Sequence, residues 1–423
     1  LAALGPARET AQMAAAIGRE FDAALLHQAS MREQTLVQQD LADILAADMV
    51  YRQHPTQGDR FVFRHALIRD AAYDGMPRAL REQAHARIAA TLEQYFPAVV
   101  AAHPAVLAGH FASAGGFGKA VSYGTRAARS SLQRSLNEET LSHTSNVLAW
   151  LQHLDPDAQA EAEWDINRIV TQALMGKYGW ADARVKASVD RSRELLGQLP
   201  GSPHTVPTLW SLATYHHVAG NRAEARVVSD ELSAIAEASD DSGLKIAAAA
   251  MLGVRYRCDG PLDKAAAILE RALSLYDPVQ HRHHATIFGL DSRAWAAGTL
   301  AIVCWLRGAG AAASRHDAEA LAWARSLNHV PSLGLAMLQH TLLQHHRGDR
   351  IAVQQAAEEL LELADKYGLP AYTAYARILH CWATDNMPQA LDVLDTLHAL
   401  GCRLAMPFYA SLPADAEARN GAL

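Results

Sequence analysis

Residues 252–273 read LGVRYRCDGPLDKAAAILERAL, and their spacing decides the fold. Gly253 is followed one helical turn later by Tyr256, and then comes the turn former Gly260-Pro261. Ala265 lies twelve residues after Gly253, and Ala272 seven beyond that. Two helices joined by a short turn approach closely only where small side chains face each other, and an aromatic ring then fills the wedge between them. The stretch therefore predicts a helical hairpin. The same frame fits Ala108, Phe111, Ala120 and Ala127, and again Ala213, His216, Ala225 and Leu232. Looser copies centre on Ala313, Val353 and Ala390.

The second-helix anchors 225, 265, 313, 353 and 390 are separated by 40, 48, 40 and 37 residues. A tetratricopeptide (TPR) unit has the same frame with a period of about 34, so these copies are degenerate. Turn residues stand where each hairpin needs them, at Gly220-Asn221, Gly260, Gly308, Gly348-Asp349 and Asp385-Asn386. The expectation is a predominantly all-α chain with a TPR-like α-solenoid over 101–405. It includes one divergent unit within 137–200, around LMGKYGWADARVKASVDRSREL. The last segment, MPFYASLPADAEARNGAL (406–423), contains Pro413 and is expected to be a frayed or truncated tail.

Ahead of the repeats, the pattern differs. Helices are predicted over 6–17, 21–29 and 35–47, the first two split by Gly18-Arg19-Glu20. Strands are predicted over 50–54 and 60–63, around the turn-forming run Pro55 to Asp59. This is the element order of a winged-helix domain with a short β-hairpin, assigned to 1–75. A groove-reading helix needs cations to approach phosphates. Residues 35–47 carry Asp40 and Asp43 and no Lys or Arg, so an acidic, protein-facing role is expected. A linker helix follows over 76–100, with Leu80, Ala84, Ile88 and Leu92 along one face.

The bulk numbers agree with a soluble, helix-prone protein. Of 423 residues half are hydrophobic and 20% charged, and 38 basic against 45 acidic side chains leave a net charge of −7. Nothing in that balance attracts nucleic acid or an anionic membrane. Cys258, Cys304, Cys381 and Cys402 lack metal-like spacing and read as reduced core thiols of a cytoplasmic protein. No signal peptide and no bilayer-length apolar run are seen. The chain opens in mid-pattern without Met, which suggests the interior of a longer polypeptide.

Candidate chemistry is sparse. Gly115-Gly116-Phe117-Gly118-Lys119-Ala120 resembles a phosphate loop but lacks its first Gly and its Ser/Thr, and Gly308-Ala309-Gly310 echoes a dinucleotide fingerprint. Both sit between predicted helices and read as turns. His281, His283 and His284 lack the Cys or carboxylate that would complete a zinc set, and read as a polar connector. No metal site, no catalytic residue and no enzymatic activity are expected of this chain.

Three stretches carry a family resemblance. They are Phe61-x-Phe63-x-His65-Ala66-Leu67-Ile68-x-Asp70-Ala71-Ala72-Tyr73, then Arg81-x-x-x-His85-x-x-Ile88-Ala89-x-x-Leu92-Glu93, and LYDPVQHRHHATIFGLD at 275–291. They resemble the C-terminal winged-helix plus TPR region of bacterial STAND/AAA-type signalling ATPases. Ala84 departs from the family's usual Leu, and Ser292 from a frequent Pro. The resemblance implies an upstream ATPase domain holding ATP or ADP, often behind a class III adenylate/guanylate cyclase or a Ser/Thr kinase. It implies that the winged helix holds the ADP-bound off state, and that His65 contacts an ADP phosphate. Phosphate binding at the start of a helix suits the free N–H groups there. The implied partners are that ATPase domain and a protein or small ligand in the repeat groove, with no nucleic acid or membrane. The alternatives are the central region of a STAND-type transcriptional activator and a freestanding TPR scaffold.

Overall fold

A computed structural model of the chain describes residues 5–53, 59–199, 201–404 and 406–419. It divides into two compact units: residues 1–128 with 143–162, and residues 129–142 with 163–423.

The first unit begins with α1 (Ala7–Ile17), β1 (Glu20–Asp22), α2 (Ala23–Ser30), α3 (Gln34–Ala46), β2 (Val50–Arg52), β3 (Arg60–Phe63) and α4 (Ala66–Asp74). β3 is central in an antiparallel sheet of order β1-β3-β2, with Phe21 opposite Phe61 and Val50 opposite Phe63. Phe21 stacks on Phe61 with ring centroids 5.7 Å apart. β1 was not anticipated: three residues with one buried side chain show no readable alternation. The turn expected at Pro55 to Asp59 falls almost wholly outside the described residues.

Two sequence readings need correction here. Asp40 does not belong to an exposed acidic face; it is buried, accepts from Arg32 Nη1 at 2.6 Å and also from Thr10. Pairing makes that burial tolerable. On α4 the helical spacing of Leu67, Ile68, Ala71 and Ala72 predicts a buried face, but Leu67 is 80% exposed and Ala71 is also exposed; Ala72 alone is fully enclosed there. The helix packs on α1, and the side turned away has no neighbour among the described residues of its unit that covers Leu67.

α5 (Arg78–Tyr95) follows, then α6 (Pro97–Ala102), α7 (Pro104–Ser113) and α8 (Phe117–Gln133). α5 is more than a spacer, because it packs against both α2 and α7. Ala84, Ile88 and Leu92 are buried in that contact, whereas Leu80, at the helix start, stays half exposed. The chain continues through α9 (Asn137–Leu151) and α10 (Pro156–Tyr178).

The second unit is built from hairpins. After α11 (Ala183–Leu196) come α12 (Thr205–Val218) with α13 (Arg222–Ala238), and α14 (Ser242–Asp259) with α15 (Leu262–Leu275). A short α16 (His284–Phe288) precedes α17 (Ser292–Leu306) with α18 (Gly310–Leu327). α19 (Val330–Arg347) pairs with α20 (Arg350–Tyr367), and α21 (Pro370–Thr384) with α22 (Met387–Ala399). Each first helix also touches the first helix of a neighbouring hairpin, as α12 does α14 and α19 does α21, which is the stacking of an α-solenoid.

The predicted anchors Ala225, Ala265, Ala313, Val353 and Ala390 are all buried. At Gly253 a Cβ would lie 2.3 Å from Leu269 Cδ2 on α15, which is why the residue must be small. Gly260 ends α14 at φ +109°, and Asp385 takes the equivalent left-handed role after α21 at φ +56°. The long step of 48 residues reflects the insertion of 276–291 with α16 between two hairpins.

Residues 406–419, expected to fray, instead form α23 (Met406–Arg419), which packs on α21 and α22. Tyr409 and Leu412 are buried in that contact, which outweighs the cost of an internal proline.

Candidate functional site

The first helices of the hairpins turn one face toward a common interior, and that is where the second unit is hollow. A groove of about 310 Å³ is lined from α12, α14, α17, α19 and α21, by residues such as Val254, Trp295, Leu338 and Tyr372. Trp180 adds a ring from the loop between α10 and α11, standing 6.4 Å from Trp295 in an edge-to-face contact. The C-terminal segment closes the groove: Leu404, Phe408 and Tyr409 all reach its wall. That segment is tied down by Arg403 N and Leu404 N, which both donate to Val218 O at 2.9 Å. Val218 ends α12, so its carbonyl has no partner within the helix and is open to these donors.

The wall is mostly apolar, with few polar groups. Gln339 Nε2 donates to Thr299 Oγ1 at 2.9 Å and to Trp295 O at 3.4 Å. Gly298 makes room for this amide, since a Cβ there would sit 2.0 Å from Gln339 Oε1. Burial, and secondly the nearby Arg257 guanidinium, hold His217 down to about 4. The same two causes lower His346. Both imidazoles are therefore neutral at pH 7.

A second cavity of about 520 Å³ shares His217, Arg257, Leu404 and Phe408 with the first, so it forms the mouth of the groove. Arg222, Arg255, Arg257 and Arg403 line it. Arg255 pairs with Asp230 at 2.8 Å, and Arg222 Nη2 donates to Cys258 O at 3.0 Å. The carboxylate lining this mouth, Asp259, is engaged by Arg226 at 3.3 Å.

The residues singled out in the sequence fall elsewhere. His65 is the N-cap residue of α4 in the first unit, in an extended conformation (φ −131°, ψ 141°). Its ring is exposed and makes no capping bond, so neither packing nor capping accounts for it. Gly115 and Gly308 are left-handed turn residues between helices, which accounts for both glycine-rich runs.

The histidine connector is not merely a polar loop. His281 accepts from Asp277 N at 2.8 Å and meets Ser242 Oγ at 3.0 Å, while His284 meets Ser292 Oγ at 3.0 Å. Beside them the buried Asp291 accepts from Tyr276 OH at 2.7 Å, Trp323 Nε1 at 2.9 Å and Ala294 N at 2.8 Å. Burial raises the Asp291 carboxyl despite these donors, and holds His284 down to about 3. The stretch 275–291 is thus a buried joint between hairpins. No cluster of metal-ligating side chains occurs among the described residues.

The sequence implies a repeat groove but names none of the residues that line it. Arg255 and Arg257, close to the Gly260 turn, were its available signal, but their convergence with Arg403 spans nearly 150 residues of chain.

No protein-family model and no curated protein matches the chain. Among solved structures it is similar to a Rap protein complexed with Competence and Sporulation Factor, at 10% identity over 81% of this chain and 94% of that one, with a TM-score of 0.48. A Rap conjugation gene regulator of plasmid pLS20 in complex with the Phr* peptide is 13% identical over 70% of this chain and 95% of that one, at a TM-score of 0.43. A STAND protein with a tetratricopeptide repeat sensor from Pyrococcus horikoshii is 11% identical over 97% of this chain and 64% of that one, at a TM-score of 0.40. At TM-scores below 0.5 these likenesses add nothing to the architecture described above. The class that the molecule's own packing defines is a TPR-like α-solenoid enclosing an apolar groove.

Proposed function

We propose that this chain is the regulatory and sensor region of a multidomain STAND signalling ATPase. Residues 1–75 act as a winged helix, 76–100 join it to the repeats, and 101–405 receive a protein or small ligand. The observation that carries the sensor reading is the groove, a chamber of about 310 Å³ walled by five first helices and closed by the C-terminal segment. Such concave, largely apolar sites with a few convergent polar groups are where ligands bind. A molecule held there faces the first helices of five hairpins, so it can bias how those hairpins stack.

The sheet order β1-β3-β2 behind three helices supports the winged-helix reading, and the acidic Asp43 with no Lys or Arg on α3 argues against DNA as its partner. His65, exposed at the start of α4 and bound to nothing it must release, suits contact with a nucleotide phosphate on an upstream ATPase domain. In this reading the output, a class III nucleotide cyclase, lies upstream, and ATP or ADP is bound there and not in this chain.

The test has two parts. The coding sequence joined to Leu1 should contain a Walker A loop. In the whole polypeptide, His65→Ala should accelerate ADP release and raise basal output. Absence of a nucleotide-binding domain, or unchanged ADP release, removes the STAND assignment.

A further inference from the structure

We propose that the groove of the second unit binds a small amphipathic organic acid, with its apolar body among the aromatic rings and its carboxylate against Arg257 and Arg403. This rests on the reading of the groove as a ligand chamber and adds what the chamber holds.

The body of the ligand follows from the wall. Its volume of about 310 Å³ suits a small molecule, and Trp180, Trp295, Tyr375 and Phe408 offer ring faces and edges. An extended peptide would bring an N–H and a C=O per residue into that space, each needing a partner. The wall has few to give. The amide nitrogen of Gln339 is already committed to Thr299 and Trp295, leaving its buried Oε1 as an acceptor without a partner, and Tyr372 OH donates to Pro331 O at 3.1 Å. Most peptide groups buried there would remain unpaired, at a penalty that offsets their apolar contacts. A chain or ring without backbone amides avoids it.

The head group follows from the mouth. Four arginines meet a single lining carboxylate, Asp259, which Arg226 already engages. With Arg255 matched by Asp230, three cations are left over: Arg222, whose Nη2 donates to Cys258 O, and Arg257 and Arg403, none of which forms an ion pair among the described residues. Arg257 also has a buried Nε with no hydrogen-bond partner. A half-buried guanidinium without a counter-ion is an unfavourable arrangement that an incoming anion relieves. A planar carboxylate matches the guanidinium fork. Arg257 lines both cavities, so a head group there leaves the body inside the groove.

The experiment uses the full 423-residue chain and three probes, each with a ten-carbon chain: decanoate, decan-1-ol and decyltrimethylammonium. Binding is followed by calorimetry and by quenching of tryptophan emission, since Trp180 and Trp295 line the site. Decanoate should bind one per chain, at least about tenfold tighter than the alcohol, and the cation should not bind. Arg257→Gln should weaken decanoate about tenfold or more and leave the alcohol unchanged, with Arg257→Lys in between. Equal affinity for acid and alcohol, undiminished decanoate binding by Arg257→Gln, or no decanoate binding at all would each overturn the proposal. Any of these results alongside a Walker A loop upstream leaves the regulatory reading intact and removes only the ligand class.

Discussion

Replacing Gly253 by alanine tests the packing of the hairpin whose sequence defines the repeat. In an open helix this change stabilises by about 1 kcal/mol, because alanine is the better helix former. Here the new Cβ would stand 2.3 Å from Leu269 Cδ2, 2.4 Å from its Cγ and 3.0 Å from its Cδ1. Favourable carbon–carbon separations are about 3.5–4.0 Å, so the overlap with two of these atoms exceeds 1 Å by this rough measure. Cγ is the branch point of the side chain, and a swing of the methyl groups alone does not clear it. Leu269 is fully buried, so either it leaves its rotamer or α14 and α15 move apart. Overpacking of this kind costs about 1–3 kcal/mol, and the gain in propensity offsets part of it. An overlap beyond 1 Å puts the cost in the upper half of that range, about 2–3 kcal/mol, so the net expectation is a loss of about 1–2 kcal/mol.

Gly109 provides the control, because it lies in α7 and a Cβ there meets nothing within 4 Å. Gly109→Ala should stabilise by up to about 1 kcal/mol, so the two identical substitutions should have opposite signs. Urea unfolding followed by far-ultraviolet circular dichroism gives the sign. Hydrogen exchange at α14 and α15 amides localises it, which matters because repeat arrays need not unfold in one step. Adding Leu269→Ala to Gly253→Ala should cost less than the sum of the single changes. If Gly253→Ala is as stable as the parent or more so, the close approach of α14 and α15 is wrong, and with it the repeat frame.

Two further outcomes follow from buried polar groups. Asp291→Ala strips an acceptor from Trp323 Nε1, Tyr276 OH and the start of α17, and should destabilise by on the order of 3 kcal/mol with a shift in Trp323 emission; a loss below about 1 kcal/mol would refute a structural role for the joint. In the first unit His85 Nδ1 and His110 Nδ1 lie 2.8 Å apart, and burial, then His85, holds His110 down to about 4, while burial, then Arg69 and Arg81, lowers His85. The unfolded chain therefore takes up protons first as pH falls below about 6.5, and His110 alone should remove about 2 kcal/mol of stability by pH 5, a loss that His110→Gln should abolish and that unfolding titrations at pH 7 and 5 would measure.

Much of the fold was legible because helical hairpins are local objects. Ala225, Ala265, Ala313, Val353 and Ala390 announced themselves by spacing, and each is buried. Gly260 and Asp385 marked turns by chemistry that operates within four residues. Even the short strands β2 and β3 were readable from alternation, whereas β1 was too short to show any. The errors arose where a residue's environment is supplied from far along the chain. Asp40 looked exposed until Arg32 and Thr10 were placed beside it, and Leu67 looked buried by periodicity alone. The tail looked frayed because its stabilising contacts with α21 and α22 carry no local signature.

By itself, then, the sequence determined that the chain is a run of paired helices behind a small helix-and-hairpin module, and marked most of the pairs. Tertiary structure alone decided that the first helices share an interior, that the C-terminal segment bonds to Val218 and closes it, and that Arg257 and Arg403 meet at its mouth. The physical reason is one of range. Turn chemistry and helical periodicity act over a few residues, whereas a groove is produced by the small rotation from each hairpin to the next, summed along the stack.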